Sequence, residues 1–452
     1  MGMWNAPGGS DGPDAGRPRG YPDWQAPTEI EHGLYEAKMR EDWPAYFDIL
    51  AGTELYHAAP RGYLDSNPGK VRFTSFHDPV SGGHGYVLLT SGVLPPPAPD
   101  PVFFHSSLGW FAREWPDDTA WAAINPGTPC EAHFATTAAH RAVWQQHADR
   151  VEDHGHHQLR TLWSGALQGP VAHGLACTAL MYVNNGEFWN MLGHGLGYDT
   201  EKSRLEKWWG VTGRATWFEY QERLLHGDMV DARWEFVLRV RESLRRAAEA
   251  GPGPGAAPGM GAGGGVDVAQ WRELAGQLAR QHVEGSARTW DAVPDTAVDA
   301  PADTPADVHS GVPVDTSAKP AADADREVEE IQRIIGQIQR YESRFRADGL
   351  LPDGHTVRSV LSWDFGRASG MARWGLACRF CDVAEAEQAV IRTSRVSQST
   401  YDSWEEFSVG YILGRCLHFD EEEFGSWYED MVAAHHILTT DPDSPWLNIP
   451  WK

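Results

Sequence analysis

Three arginines near the carboxyl end of the 452-residue sequence stand among apolar and small residues, where charge is unexpected. They are Arg367 and Arg373 in LSWDFGRASGMARWG and Arg415 in SWEEFSVGYILGR. Guanidinium groups that converge in a partly buried site bind carboxylates and other anions through paired N–H donors. Asp364 and His418 accompany them, and His418 is the one obvious proton carrier of the set.

The first two arginines fall in a segment with the period of an α-helix, residues 361–376. On a helical wheel Trp363 and Trp374 share a face with Arg367, and Asp364 lies one turn before it. These separations suit a cation–π contact and an ion pair within one helix.

A second segment, residues 404–417, repeats the arrangement with Trp404, Tyr411 and Arg415 on one helical face. Each segment also has two glycines four residues apart, which lets helix backbones approach closely. These are Gly366, Gly370, Gly410 and Gly414. The spacing predicts that the two helices cross at their glycines.

Two interpretations of the charges stay open. In the first, they form a satisfied polar network that fixes helix register, because unpaired buried charges are costly. With its aromatic neighbours this network comprises Trp363, Asp364, Arg367, Trp374, Trp404, Glu405, Glu406, Tyr411 and Arg415. In the second, Arg367, Arg373 and Arg415 hold an anion between the helices, beside Asp364 and His418. No nucleophile or general base stands nearby, so the first is favoured and no catalytic residue is assigned.

Two groups of residues have partial metal-ligand spacing. Cys378 and Cys381 form a C-x-x-C, and Cys416 with His418 downstream would complete a four-ligand zinc set. Structural zinc sites usually have two paired ligand motifs, so buried cysteines acting as small hydrophobes are the favoured interpretation. The histidines of HGHH, residues 154–157, fall in a polar stretch where solvated side chains are expected. We expect no metal and no cofactor.

Composition argues against several classes of protein. A formal charge of -25 disfavours a nucleic-acid binder, which needs many Lys and Arg contacts to phosphates. No apolar run is long enough to span a bilayer, and the amino terminus lacks the apolar core of a signal peptide. Five scattered cysteines fit a reducing compartment. These features predict an acidic, tryptophan-rich cytoplasmic protein.

Patterning predicts an α+β N-terminal domain followed by a mainly α-helical domain that a disordered insertion interrupts. The insertion joins two low-complexity blocks to one amphipathic helix, which either docks back on the core or holds a partner. The predicted parts are a disordered tail (1–27), the α+β domain (28–135), a connecting helical segment (136–172), the first half of the helical domain (173–250), the insertion (251–325) with its helix (267–283), and the second half of the helical domain (326–452).

The arginine-bearing segments also resemble a known family. WDFGRASGMARWG, the helix with an acidic start that follows it, SWEEFSVGYILGR, and the terminal SPW and PW are similar to the bacterial domain of unknown function 1266, DUF1266. GLACTALMYVNNGEFWNML and EKWWGVTGRATWFEYQERLL resemble the first half of that family. The resemblance implies a single helical domain into which residues 251–325 are inserted.

The amino-terminal part resembles the SseB N-terminal family. The similarity rests on EAKMREDWPAYFDILAGTELYHA, VLLTSGVL and WPDDTAWAAINPGTP. Neither family brings an established reaction, so no catalytic residue follows from either resemblance. Together they imply a bacterial accessory or binding protein.

We therefore expect a non-enzymatic bacterial adaptor that binds another protein and has no nucleic-acid or membrane-spanning role. A flexible acidic insertion with a tethered helix suits partner capture. The alternative is an enzyme or small-ligand binder with an arginine-lined anion site between helices 361–376 and 404–417.

Overall fold

The structure is a computed structural model of the chain. It describes residues 24–67, 70, 73–77, 83–96, 101–115, 117–151, 158–193, 198–249, 266–284 and 319–452. Most of the predicted tail and of both low-complexity blocks lies outside these residues. Packing divides the chain into two compact units, Met1–Tyr220 with Gly370–Ile391 and Gln221–Ser369 with Arg392–Lys452. These units are defined by packing alone, so they do not test the predicted domain boundaries, which stay predictions.

The first unit mixes helices with two sheets in its described residues. Its strands are β1 (Glu54–Pro60), β2 (Ser75–His77), β3 (His84–Leu88), β4 (Pro101–Ser107), β5 (Trp121–Ile124) and β6 (Ala132–Ala135). β1 pairs antiparallel with β4. The other sheet has the order β2-β3-β5-β6, with β3 and β5 parallel and the outer pairs antiparallel. The predicted α+β character of the amino-terminal region is confirmed.

Helices of the first unit pack with these sheets, and two of the amino-terminal ones begin at polar caps. They are α1 (Glu29–Met39), α2 (Trp43–Ala51), α3 (Arg61–Ser66), α4 (Leu108–Glu114), α5 (Ala138–Ala148), α6 (Gly169–Ala176), α7 (Ala179–Asn185) and α8 (Tyr198–Trp209). The Thr28 hydroxyl accepts the Ile30 amide of α1 at 3.2 Å, and the Asp42 carboxylate accepts the Ala45 amide of α2 at 3.1 Å. Leu34, Phe47 and Phe111 are fully buried in the resulting core.

A partly buried polar cluster ties the β1–β4 pair to the segment that follows residue 158. Glu54 of β1 accepts hydrogen bonds from Arg160 Nε at 2.6 Å and the Tyr56 hydroxyl at 3.0 Å, and it contacts His105 Nδ1 at 3.1 Å. Burial acts to raise the pKa of Glu54, but hydrogen bonds from His105 and Arg160 outweigh it and hold that pKa at about 2. The carboxylate therefore stays ionised at neutral pH.

The second unit is helical in its described residues. Its helices are α10 (Ala232–Glu249), α11 (Val268–Glu284), α12 (Lys319–Ala347), α15 (Trp404–Phe419), α16 (Ser426–Thr440) and α17 (Pro445–Asn448). Three others, α9 (Arg214–His226), α13 (Leu361–Ala377) and α14 (Val383–Thr400), have residues in both units. The predicted helical character of the carboxy-terminal region is confirmed. Among the described residues, no helix is both long enough and apolar enough to cross a membrane.

The amphipathic helix predicted within the insertion is α11, and it docks on its own chain. α11 packs against α10 and α12. Trp271 is 1 % exposed, and its indole N–H donates to the Val237 carbonyl at 2.8 Å. The Arg241 guanidinium lies over the same ring at 4.5 Å from its centroid. Of the two alternatives, docking on the core is the one the structure adopts.

α14 and α15 each begin at a polar side-chain cap. The Glu385 amide donates to the Asp382 carboxylate at 2.9 Å, and the Asp382 amide donates to the Glu385 carboxylate at 3.0 Å. The Ser403 hydroxyl accepts from the Glu406 amide at 3.2 Å. These reciprocal bonds satisfy amides that would otherwise be free at the helix ends.

The terminal tryptophans pack on the body of the second unit. Trp446 stacks on Trp404 at 5.7 Å, and Trp451 meets the edge of the same ring at 4.6 Å. The Trp451 indole N–H donates to the Tyr401 carbonyl at 2.7 Å. The carboxyl end is thereby fixed to the start of α15.

Candidate binding site

A buried carboxylate anchors the first turns of α13. Asp364 is fully buried and accepts hydrogen bonds from the Met229 amide at 2.8 Å and the Val230 amide at 3.1 Å. Burial raises the pKa of Asp364, while the Arg367 cation and the two amides act against that rise. Asp364 therefore joins α13 to the segment between α9 and α10.

Arg367 is held by two neighbours on its own helix. It forms an ion pair with Asp364, and its guanidinium carbon lies 3.6 Å from the centroid of the Trp363 ring. Its Nε donates to the Trp363 carbonyl at 3.2 Å. Burial lowers the pKa of Arg367, and the Asp364 carboxylate opposes this shift. The charge of Arg367 is thus matched inside the fold.

Arg415 differs from Arg367 in having no matching carboxylate among the described residues. Its guanidinium lies 4.9 Å from the ring centroid of Trp427 and 6.0 Å from that of Phe419. Its Nε is shielded from solvent and has no hydrogen-bond partner within the described part of the chain. The residue is partly exposed, and its terminal guanidinium nitrogens also make no hydrogen bond or ion pair with the described residues. These terminal donors are suited to an external acceptor.

Two exposed aromatic rings lie beside Arg415. Phe419 and Trp427 stack at 4.7 Å with an interplanar angle of 18°, and they are 41 % and 44 % exposed. We call the surface formed by Arg415, Phe419 and Trp427 the aromatic–arginine face. It presents apolar area and one cation side by side.

The turn between α15 and α16 sets the geometry of this face. The Asp420 carboxylate accepts the amides of Phe424 at 3.0 Å and Gly425 at 3.1 Å, and the Tyr341 hydroxyl at 2.8 Å. Glu421, Glu422 and Phe424 have φ values of 49°, 65° and 52°, the left-handed region that side chains rarely adopt. The turn is held in this conformation by the bonds to Asp420.

His418 lies at the inner edge of the face. Its ring centroid is 5.0 Å from that of Trp363 and 4.4 Å from that of Phe419. Partial burial, together with the Arg367 cation, lowers the pKa of His418 below its usual value. At neutral pH the residue is therefore uncharged, and Arg415 supplies the positive charge of the face.

Arg373, the third predicted arginine, lies in the first unit and has its own partners there. It is 1 % exposed, and its guanidinium lies 3.6 Å from the ring centroid of Tyr182. It donates to the carbonyls of Phe188 at 2.6 Å and Trp189 at 3.2 Å. Burial lowers its pKa. These contacts clamp the turn after α7 onto α13.

The predicted network residues occupy several places. Tyr411 is buried near Arg415 and Arg367, whose charges act against the rise that burial causes in its pKa. Trp374 lies in the first unit, 5.8 Å from Trp209. Glu405 is exposed, and Glu406 pairs with Arg358 at 3.2 Å. Trp404 contacts the terminal tryptophans, so the aromatic stripe of α15 serves two separate clusters.

The predicted crossing of the two helices at their glycines is right for Gly410 and Gly414 of α15 and wrong for Gly370 of α13. A Cβ on Gly410 would lie 2.5 Å from the Ser359 carbonyl, and one on Gly414 would lie 2.9 Å from the Trp363 Cβ. A Cβ on Gly370 would instead meet Met181 at 2.9 Å within the first unit. The glycines of α15 therefore admit the start of α13, whereas Gly370 admits a side chain.

The possible metal ligands are not brought together in the described part of the chain, where no group of three His, Cys, Asp or Glu side chains could hold a metal ion. Cys378 and Cys381 are buried in the first unit, and burial raises the pKa of each thiol to about 12. Cys416 and His418 belong to the second unit. Residues 154–157 lie outside the described residues.

Sequence reasoning missed a buried serine–histidine pair. The Ser408 hydroxyl and His435 Nδ1 are 2.7 Å apart, and burial lowers the pKa of His435 to about 4. Such a pair resembles a nucleophile with its base, but both residues are buried and Ser408 has no exposed surface. The pair satisfies two polar groups inside the helical core. Only the placement of a serine within the apolar body of α15 hints at it.

A shallow recess of about 460 Å³ lies along α8 in the first unit. Its lining residues are Asp199, Thr200, Ser203, Arg204, Lys207 and Trp208. All of these residues come from one helix, and the charged ones among them differ in sign. The recess therefore lacks the converging polar groups of a ligand site.

The two arginines of the second unit are expected to respond differently to lysine, which keeps the charge but loses the planar stacking surface. Arg367→Lys should lower the free energy of unfolding by about 2 kcal/mol, because its stacking on Trp363 is desolvated. Arg415→Lys should cost about 0.5 kcal/mol, because its guanidinium lies farther from its aromatic neighbour, 4.9 Å from the Trp427 ring centroid. Chemical denaturation of both variants gives the comparison, and equal losses would contradict this assignment.

Residues 268–451 match the model of a family described as a protein of unknown function, DUF1266. The match confirms the predicted resemblance for the carboxy-terminal part and includes Arg367, Arg415 and Trp427. It begins at the first residue of α11, which places that helix inside the matched region. Comparison with curated proteins and comparison with solved structures each give no match.

Proposed function

We propose that the chain is a non-enzymatic accessory protein that binds another protein through the aromatic–arginine face. The observation that carries this proposal is the guanidinium of Arg415, which has no carboxylate partner among the described residues and lies beside the exposed rings of Phe419 and Trp427. Aromatic and arginine side chains are the residue types that dominate binding energy at protein interfaces.

The form of the face supports a protein rather than a small molecule as the partner. Phe419 and Trp427 stand on the surface on either side of a turn, whereas a small-molecule site encloses most of its ligand. The formal charge of -25 disfavours nucleic acid, even though stacked rings can bind bases. A second candidate partner is a small anionic ligand, and the one feature of the face that favours it is the cation of Arg415.

The remaining parts of the proposal rest on sequence resemblance. We assign the amino-terminal helices and sheets to an SseB-like domain of a bacterial cytoplasmic protein, and its α+β composition agrees with that assignment. The chain is proposed to use no cofactor. Non-enzymatic action is supported by the burial of the Ser408–His435 pair, which leaves no route for a substrate to reach the hydroxyl.

A photo-cross-linking amino acid in place of exposed Ser426, next to Trp427, tests the proposal in the native host. We expect a discrete cross-linked protein that disappears when Arg415→Gln is added. The same cross-linker in place of Leu447, which is 55 % exposed in the same unit, serves as the control and should give none. Identical products at both positions, or products that persist without Arg415, would refute the assignment of the face.

A further inference from the structure

We infer that the segment bound at the aromatic–arginine face carries a single carboxylate next to an aromatic side chain. This inference rests on the proposed function and specifies what the partner must present. Its starting point is the contrast between two neighbouring arginines. Arg367 has the Asp364 carboxylate as its partner, and Arg415 has no carboxylate among the described residues.

The charge at the face amounts to one cation. Arg367 is neutralised by Asp364, and the lowered pKa of His418 keeps that ring neutral at pH 7. One planar guanidinium matches one carboxylate in geometry and in charge, with two parallel N–H···O bonds available. A phosphoryl dianion would need a second cation, which the face does not supply.

The surroundings of the face also disfavour a strongly acidic segment. Glu421 and Glu423 are exposed in the turn that joins α15 to α16, so they repel additional negative charges on a partner. Glu422 in the same turn is paired with Arg340. The partner's carboxylate is therefore isolated, and its neighbours are apolar.

The stacked rings define the second element of the partner. Phe419 and Trp427 are stacked on each other, and each ring stays more than two-fifths exposed beside the guanidinium. Aromatic side chains pack on such rings in offset or edge-to-face arrangements and contribute beyond their buried area. An aromatic residue adjacent to the carboxylate would occupy this surface.

N-acetyl-L-phenylalanine and its neutral amide are matched probes, because they differ only in the carboxylate. Ligand-detected NMR with the full chain should show the acid binding with a Kd on the order of 1 mM and about tenfold more tightly than the amide. Arg415→Gln should bring the ratio of the two Kd values to about one. Arg333→Gln removes an exposed arginine already paired with Glu330 and should leave the ratio unchanged.

Other outcomes overturn the inference. Equal binding of acid and amide, tighter binding of phenyl phosphate than of the acid, or no binding of either probe up to about 10 mM would each refute a single-carboxylate site. The cross-linking experiment at residue 426 is independent of these probes. If the Arg415-dependent cross-link is found but the acid binds no better than the amide, the proposed function stands and only the inference of a carboxylate on the partner is refuted. An acid preference without any cross-linked protein would instead refute the protein partner.

Discussion

Trp271→Ala is expected to lower the free energy of unfolding of the second unit by about 3–5 kcal/mol, the range for truncating a large buried aromatic residue. The ring packs against α10 and is almost entirely buried. Its loss also leaves the Val237 carbonyl without the indole donor and removes the surface on which Arg241 stacks. Hydrogen exchange of α10 and α12 measures the effect locally, which avoids assuming a two-state transition for the whole chain.

Two further variants separate packing from hydrogen bonding at this position. Trp271→Phe keeps much of the ring volume but loses the N–H donor, so it should cost about 1–2 kcal/mol. Val268→Ala, at a position 40 % exposed on the same helix, should change stability by less than about 0.5 kcal/mol. If Trp271→Ala has as little effect as Val268→Ala, α11 is not an integral part of the helical fold.

This result bears on the residues between α10 and α12. A deletion of residues 251–325 would remove α11 together with the low-complexity blocks, so loss of partner binding in that variant would have two explanations. Trp271→Ala tests the docked helix without changing the length of the chain. The helix that the sequence offers for partner capture already has its apolar face buried against α10 and α12.

Arg373→Ala is expected to destabilise the first unit by about 3 kcal/mol. The substitution leaves the carbonyls of Phe188 and Trp189 without their donors and removes the cation from the face of Tyr182. The gain from no longer burying a charge offsets part of this loss. Thermal unfolding measures the loss of stability, and hydrogen exchange of residues 182–190 shows whether it is located at this turn.

Two comparisons check the role assigned to Arg373. Arg373→Met fills more of the space than alanine but has no N–H donors. The stability of this variant should lie between that of Arg373→Ala and that of the wild type. Arg113→Ala, at an exposed position of the same unit where Arg113 donates a hydrogen bond to the Gln145 side chain, should change stability by less than about 0.5 kcal/mol. Wild-type stability for Arg373→Met would show that the clamp on the turn after α7 contributes nothing.

Local patterns in the sequence account for the class of each region and for the ends of its helices. The starts of α14 and α15 follow from Asp382 with Glu385 and Ser403 with Glu406, because capping bonds form within four residues. Helical spacing alone brings Arg367 to Trp363 and Asp364. The spacing of Arg415 and Phe419, four residues apart, also points to half of the aromatic–arginine face.

The rest of the candidate site depends on residues that are distant in the sequence. Trp427 reaches Phe419 through a tight turn whose left-handed residues no helical period predicts. Arg373 carries the same local signal as Arg367, yet its partners come from residues 182–189 of the first unit. An arginine on an aromatic helix face is compatible with several environments, and only packing selects one of them.

The sequence by itself determined where helices begin, which region mixes strands with helices, and which residues share a helical face, because these depend on interactions within one or two turns. The tertiary structure decided that α11 docks on its own chain, that Arg367 pairs with Asp364, and that Arg373 donates to two carbonyls of the first unit. It also left Arg415 without a carboxylate partner among the described residues. These outcomes depend on competition among distant apolar faces and buried acceptors, since each buried charge must find a partner that local spacing does not specify.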